Sequence, residues 1–329
     1  MEKVFIYDTT LRDGSQAEGV NFSLEDKLRI LERLDEFGID YIECGWPGAN
    51  PKDTMLFEKL KRYKPKHAKI VAFGATRRPG KRVEEDPQVE NLIKSGARTI
   101  TIFGKSWDFH VKEALKTSLE ENLDMVYETV SYLKRYVEEV IFDAEHFYDG
   151  YKRNPEYALE VLRRALEGGA DWIVLCDTNG GCLPHEVYEI TKKVVETFPN
   201  AKVGVHAHND SDCGVANSLM AVLAGARQVH GTINGIGERT GNANLCSIIP
   251  NLQLKMGFLA VPEESLRRLT ELSHFISELS NMPVPKNMPY VGESAFAHKA
   301  GVHASAVLKS SQTYEHIDPS LVGNSRKIT

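Results

Sequence analysis

Eight short apolar, β-branched runs follow one another along residues 1–232, most of them separated by stretches of helical periodicity. They are Val4–Tyr7, Tyr41–Cys44, Ile70–Phe73, Thr99–Phe103, Val140–Phe142, Trp172–Cys176, Val203–His206 and Gln228–Gly231. Alternation of strand and helix implies a parallel sheet, because parallel neighbours need a crossover between them, and eight such units close naturally into a barrel. An open doubly wound sheet would want a glycine-rich phosphate loop after an early strand. The first strand runs instead into DTTLRDGSQ. The clearest crossover helix is Ser23–Phe37, with Leu24, Leu28, Leu31 and Leu34 on one face. Ser23 and Asp26 are spaced to cap it and Gly38 to end it. Asn154 followed by Pro155 starts another helix, and Gly38, Gly96, Gly169 and Gly225 each open a Gly-x-x step into a strand.

After about residue 250 the strand signal stops. Residues 263–280 read as a helix, and the segment MPVPKNMPY then leads to a Gly/Ala/His stretch. The expected architecture is α/β: a (β/α)8 TIM barrel over residues 1–250, then a linker and helical subdomain over 251–329. The end at SRKIT carries no clear final element and reads as a piece of a longer protein. A net charge of −6 leaves no basic face for nucleic acid, so a small-molecule substrate is expected. Five scattered cysteines without a CxxC pair suit a reducing cytoplasm, and no apolar run approaches the roughly 20 residues that span a bilayer. A cytoplasmic protein with no membrane partner is expected.

A barrel of this kind carries its site at the C-terminal ends of its strands. Those positions hold Asp8, Arg12 and Asp13; Asp143, Glu145 and His146; Asp177, Thr178 and Asn179; His206, His208, Asn209 and Asp210; and Asn234, Glu238, Arg239 and Asn242. His206 and His208 are two apart on a strand, so both imidazoles face one side. A pair of satisfied histidines would show the same spacing, but Asp13 at another strand end makes a metal site the stronger reading. Two imidazoles and one carboxylate leave coordination positions open, as a catalytic ion requires. Mixed N and O donors do not by themselves choose among divalent ions; Mg or Mn is expected, with Zn or Co as alternatives. Arg12 beside Asp13 is well placed to polarise a carbonyl. The run Gly235–Gly241 has the look of a phosphate loop, but such loops are common barrel connectors. The basic stretch Arg77–Arg82 reads more readily as a solvated charge run than as a cofactor contact.

At DTTLRDGSQ (8–16), HAHND (206–210), GTINGIGERTGNANL (231–245) and KAGVHASAV (299–307) the sequence resembles the metal-dependent keto-acid synthases and lyases, among them isopropylmalate, homocitrate and citramalate synthases. The likeness runs nearly the whole length. ECGWPGANPKD (43–53), FDAEHFYDGYKRN (142–154) and HAHNDSDCGVANS (206–218) are most similar to the citramalate synthase branch. Isopropylmalate synthases typically have HNDLG where this chain has Asn209-Asp-Ser-Asp-Cys-Gly214.

The resemblance implies a Claisen-type condensation of pyruvate with acetyl-CoA, then thioester hydrolysis to citramalate and CoA, on a route to isoleucine. It assigns Asp13, His206 and His208 as metal ligands, with Asn242 a further or water-mediated one. It gives Arg12 the developing alkoxide, Thr178 the substrate carboxylate, and Glu145, His303 and Tyr314 the acetyl proton. His303 and Tyr314 lie in the tail, so the tail is expected to fold over a barrel mouth, that of a partner in a homodimer. The family's longer members carry a further C-terminal regulatory domain, so feedback inhibition is expected to be missing here. Rival expectations are 2-ketoisovalerate as substrate, a lyase or aldolase running the reverse cleavage, and a non-catalytic assembly protein. Intact ligands together with Arg12 and Glu145 argue against the last.

Overall fold

The computed structural model describes residues 1–299 and 301–329. Eight parallel strands form one closed barrel in chain order, with the last hydrogen-bonded to the first. They are β1 (Phe5–Asp8), β2 (Tyr41–Gly45), β3 (Lys69–Ala75), β4 (Thr99–Lys105), β5 (Glu139–Glu145), β6 (Trp172–Asp177), β7 (Val203–Ala207) and β8 (Gln228–Gly231). Each expected strand is present, and several extend by a residue or more into the polar positions at their C-terminal ends. Burial on both faces explains the near-continuous apolar runs: every residue of β2, β6, β7 and β8 is buried.

The crossover helices are α1 (Leu24–Phe37), α2 (Pro51–Leu60), α3 (Pro87–Lys94), α4 (Leu119–Lys134), α5 (Pro155–Gly168), α6 (Pro184–Thr197) and α7 (Gly214–Ala224), followed after β8 by the short α8 (Leu245–Pro250). The Ser23 hydroxyl accepts from the Asp26 backbone N–H and the Asp26 carboxylate from that of Ser23, so the expected capping box is formed. Asn154 likewise caps α5 through the Tyr157 backbone N–H. The four glycines at the helix exits have φ of 96, 80, 105 and 123°, the left-handed region in which a Cβ is strained.

Two apolar layers result. One fills the space between strands and helices, and it runs without a break from Val4 to Val322. The other sits inside the barrel and includes Tyr7, Tyr41, Val71, Ile141, Trp172 and Cys176. In the tail, the expected 263–280 helix is interrupted at Arg267–Arg268, giving Glu263–Leu266 and α9 (Leu269–Ser280). The Arg33 guanidinium of α1 lies 4.1 Å over Phe275 of α9 and pairs with Glu271 at 3.1 Å. The expectation of no strands beyond residue 250 is corrected by β9 (Ala297–His298) and β10 (Lys327–Ile328), a two-stranded parallel pair. Two-residue strands leave no periodicity in a sequence. They are held by Glu315, which accepts from Arg326 at 2.7 and 2.9 Å and lies 3.1 Å from His298 Nε2. The last helix, α10 (Val302–Lys309), leaves Val302 and Leu308 largely exposed. Among the described residues no helix is long and apolar enough to cross a membrane.

Candidate active site

The strand ends converge on a cavity of about 410 Å³ whose lining includes Arg12, Asp13, Glu145, Thr178, His206 and His208. Six of the nine residues singled out from the sequence therefore share one concave surface. Asn242, a seventh, stands directly behind it and donates to Asp13 Oδ2 at 3.2 Å.

One donor atom each from Asp13, His206 and His208 lies within 4.8 Å of the other two. Asp13 Oδ2 and His206 Nε2 are 3.2 Å apart. His208 turns its Nδ1 to the Thr178 carbonyl oxygen at 2.7 Å, which leaves Nε2 for a ligand. Burial pushes the Asp13 carboxyl up, but the Arg12 guanidinium and the imidazoles outweigh it and hold it well below the usual carboxylate range. Burial pushes the His208 imidazole down, and the neighbouring His206 adds to that. An ionised carboxylate beside a neutral, preoriented imidazole is a donor set that a divalent ion fits.

Arg12 is held from three sides. Its Nη1 lies 3.0 Å from Asp13 Oδ1, its Nε donates to Glu43, and its guanidinium stacks 3.6 Å over the Phe73 ring. Glu43 is fully buried and also accepts from the Tyr7 hydroxyl, which lies 2.7 Å from Thr101 Oγ1. Sequence reasoning missed Glu43 and Tyr7. The signal was there, since a glutamate and a tyrosine inside otherwise apolar strands must find polar partners in a barrel interior.

Glu145 ends β5 and pairs with Lys105 Nζ at 2.8 Å. Thr178 Oγ1 accepts from the His146 backbone N–H at 2.8 Å, so its own hydrogen remains for an incoming acceptor. Trp46, Phe73 and Phe103 form one wall of the cavity. Trp46 meets the two phenylalanines edge-on at 5.6 and 5.7 Å, and these stack on each other at 5.3 Å. Buried Asp143 also lines the cavity; burial raises its carboxyl to about 8, and its Oδ1 has no hydrogen-bond partner among the described residues.

His303 and Tyr314 are brought together, their rings stacked at 4.3 Å, but neither is among the described residues lining the cavity. The Gly235–Gly241 run is used within the chain: Gly235 and Gly241 carry positive φ, and Asn242 N–H donates to the Gly235 carbonyl at 3.0 Å. In the basic stretch, Arg77 is buried and bonded to Glu121 and Glu128 at 2.8 and 2.7 Å, while Arg78–Arg82 are exposed.

Comparison with known proteins agrees with this fold. The HMGL-like family matches residues 3–276. The chain belongs to the HMGL-like family. Residues 290–329 match a second family, described as homocitrate synthase post-HMGL domain-like. The (R)-citramalate synthase of Aquifex aeolicus is 75% identical over 328 residues, which are 100% of this chain and 62% of that protein. Two relatives come from one organism, Sulfolobus acidocaldarius. Its (R)-citramalate synthase is 54% identical over 99% of this chain and 62% of its own length, and its 2-isopropylmalate synthase 38% identical over 99% and 81%. The chain thus spans just under two thirds of the citramalate synthases it matches. Among solved structures, the HMG-CoA lyase of Bacillus subtilis superposes with a TM-score of 0.71 at 22% identity, covering 87% of this chain and 96% of that one. At that identity the likeness establishes the fold.

Proposed function

We propose that this chain condenses acetyl-CoA with pyruvate and releases citramalate and free CoA. The observation that carries the reaction class is Arg12 seated on Asp13 in a cavity that Glu145 also lines. A divalent ion held by Asp13, His206 and His208, Mg or Mn in the first instance, would supply a Lewis acid for the keto group. The residues supply the rest. Arg12, fixed by Glu43 and Phe73, offers fixed N–H donors where negative charge grows on the keto oxygen, without reorganising during the reaction. The Thr178 hydroxyl, with its acceptor side occupied by His146 N–H, is left to donate to the keto-acid carboxylate.

Proton abstraction from the acetyl methyl falls to Glu145 together with His303 and Tyr314. These two stack on each other and are not among the described residues that line the cavity of their own chain, which supports completion of the site by a partner's tail in a homodimer. In this reading residues 1–250 carry the keto-acid half and residues 251–329 the part that closes over it.

The choice of pyruvate rests on two supports. Within one organism, the relative named as a citramalate synthase is the more similar, 54% against 38%. The wall beside Arg12 is made of three rings, each braced by the other two, a rigid apolar surface that favours the smaller keto acid.

The test is thiol release by the purified protein with Mn or Mg, acetyl-CoA and a panel of keto acids. Pyruvate is expected to turn over fastest. Equal or better turnover of 2-ketoisovalerate would replace the substrate assignment, and no release with any keto acid would remove the synthase class. Asp13→Ala should abolish turnover and metal binding together, and metal affinity unchanged from wild type would take Asp13 out of the ligand set.

A further inference from the structure

Directly beneath the candidate ligands, the barrel interior holds a polar chain that the reaction itself does not call for. Strand register sets Tyr7, His230 and His206 side by side, with His230 opposite Tyr7 across β8 and β1 and opposite His206 across β7 and β8. All three are buried, Tyr7 and His230 completely. His206 Nδ1 lies 3.0 Å from His230 Nδ1, and His230 Nε2 lies 2.7 Å from Gln228 Oε1. The Tyr7 ring covers the His230 ring face to face, with centroids 3.7 Å apart and planes within 3°.

Two Nδ1 atoms at that separation share one hydrogen, so one ring donates and the other accepts. Gln228 settles the direction. Its carbonyl oxygen is an acceptor, so His230 carries its hydrogen on Nε2 and presents a bare Nδ1. His206 must then hold its hydrogen on Nδ1, which leaves its Nε2 bare. In the neutral ring that bare nitrogen stands 3.2 Å from Asp13 Oδ2, so two lone pairs face each other, and a proton or a metal ion must lie between them. The reverse setting would place the hydrogen on His206 Nε2, where it would bond Asp13 and block ligation.

We propose that His230 is a positioning residue for the metal centre, and that with Gln228 it locks His206 in the tautomer that presents Nε2 to the ion. Tyr7 fixes the plane of the His230 ring, and its hydroxyl bonds the same Glu43 that holds Arg12. One tyrosine therefore keys both the ligand histidine and the arginine. The proposal rests on the reading of His206 as a metal ligand.

The probe is Mn2+ alone, titrated into the purified protein and followed through the EPR signal of the free ion. His230→Phe keeps a flat ring against Tyr7 but offers no acceptor, and it should weaken Mn2+ binding by about 10- to 100-fold. His230→Gln, whose amide oxygen can accept from His206 Nδ1–H, should stay within a few-fold of wild type. Equal affinity in wild type and His230→Phe overturns the proposal, and so does equal loss in both variants, which would mark a packing role. An absence of Mn2+ binding by the wild type would remove the metal reading and this proposal with it. A measurement without substitution covers the case in which the variants fail to fold. In 15N-histidine-labelled protein with saturating Mg2+, His206 should be protonated at Nδ1, and protonation at Nε2 would overturn the assignment.

Discussion

Asn242 shows how little room the ligand cluster leaves. Its side-chain amide donates to Asp13 Oδ2, and its Oδ1 lies against Gly237, where an added Cβ would overlap it. Gly237 has no positive φ, so its missing side chain matters for space alone. Gly237→Ala should therefore push the Asn242 amide off Asp13 while leaving the fold intact. The expected outcome is metal affinity lower by about tenfold or more, the usual effect of losing a group that orients a ligand, with little change in the melting temperature. Titration of the ion beside a thermal melt separates the two, and an unchanged affinity would show that Asn242 does not support Asp13. The GxG run thus serves the site through close packing, which its resemblance to a phosphate loop conceals.

Among the elements, α1 shows most plainly how a helix terminus and a loop are tied together. The Asp35 carboxylate, near the end of α1, accepts from the backbone N–H groups of Lys66, His67 and Ala68 and from the Tyr63 hydroxyl, all at 2.7–2.8 Å. Burial pushes this carboxyl up, but the four donors outweigh it and lower it. A depressed folded-state pKa stabilises the fold above the unfolded value, about 3.9, and that contribution is lost as the pH falls through the folded-state value. Asp35→Asn would turn an amide N–H2 toward donors, costing about 2 kcal/mol at neutral pH. The difference should be full at pH 7 and should narrow below about pH 4, where the wild type loses the same charge. Urea unfolding at pH 7 and at about pH 3.5 checks this, and a gap independent of pH would assign the effect to shape. This kind of contact also marks where sequence reading stops. Leu24, Leu28, Leu31 and Leu34 show their face through periodicity, and Ser23 and Asp26 show the cap through spacing. Asp35 meets residues some 30 positions on, and nothing in its own neighbourhood records that. His206, His208 and Asp13 were legible because strand ends in a barrel converge by geometry. Glu43, Tyr7 and His230 were not read, because inward-facing polar residues were not paired across strands. The sequence Gln228-Val-His230, with two polar residues two apart on a buried strand, was the available clue.

For the whole molecule, the division of labour is between what one chain does and what two do. The apolar layer runs from Val4 to Val322, so much of the tail shares the barrel's core and α9 is fastened to α1 and to the loop after β8. The segment bearing His303 and Tyr314 differs: Val302 and Leu308 are exposed at 78% and 73%, surface that a partner's barrel mouth would cover. If the tail acts across a homodimer, each site combines Asp13 of one chain with His303 of the other. Asp13→Ala and His303→Ala chains, each inactive alone, would then form mixed dimers in which one site carries both lesions and the other neither. Random reassortment makes half of the dimers mixed, so unfolding and refolding the two variants together should recover about a quarter of wild-type thiol release. Catalysis within a single chain predicts no recovery, because every site would keep one lesion. The assay therefore reads where His303 works without needing the geometry of the closed site.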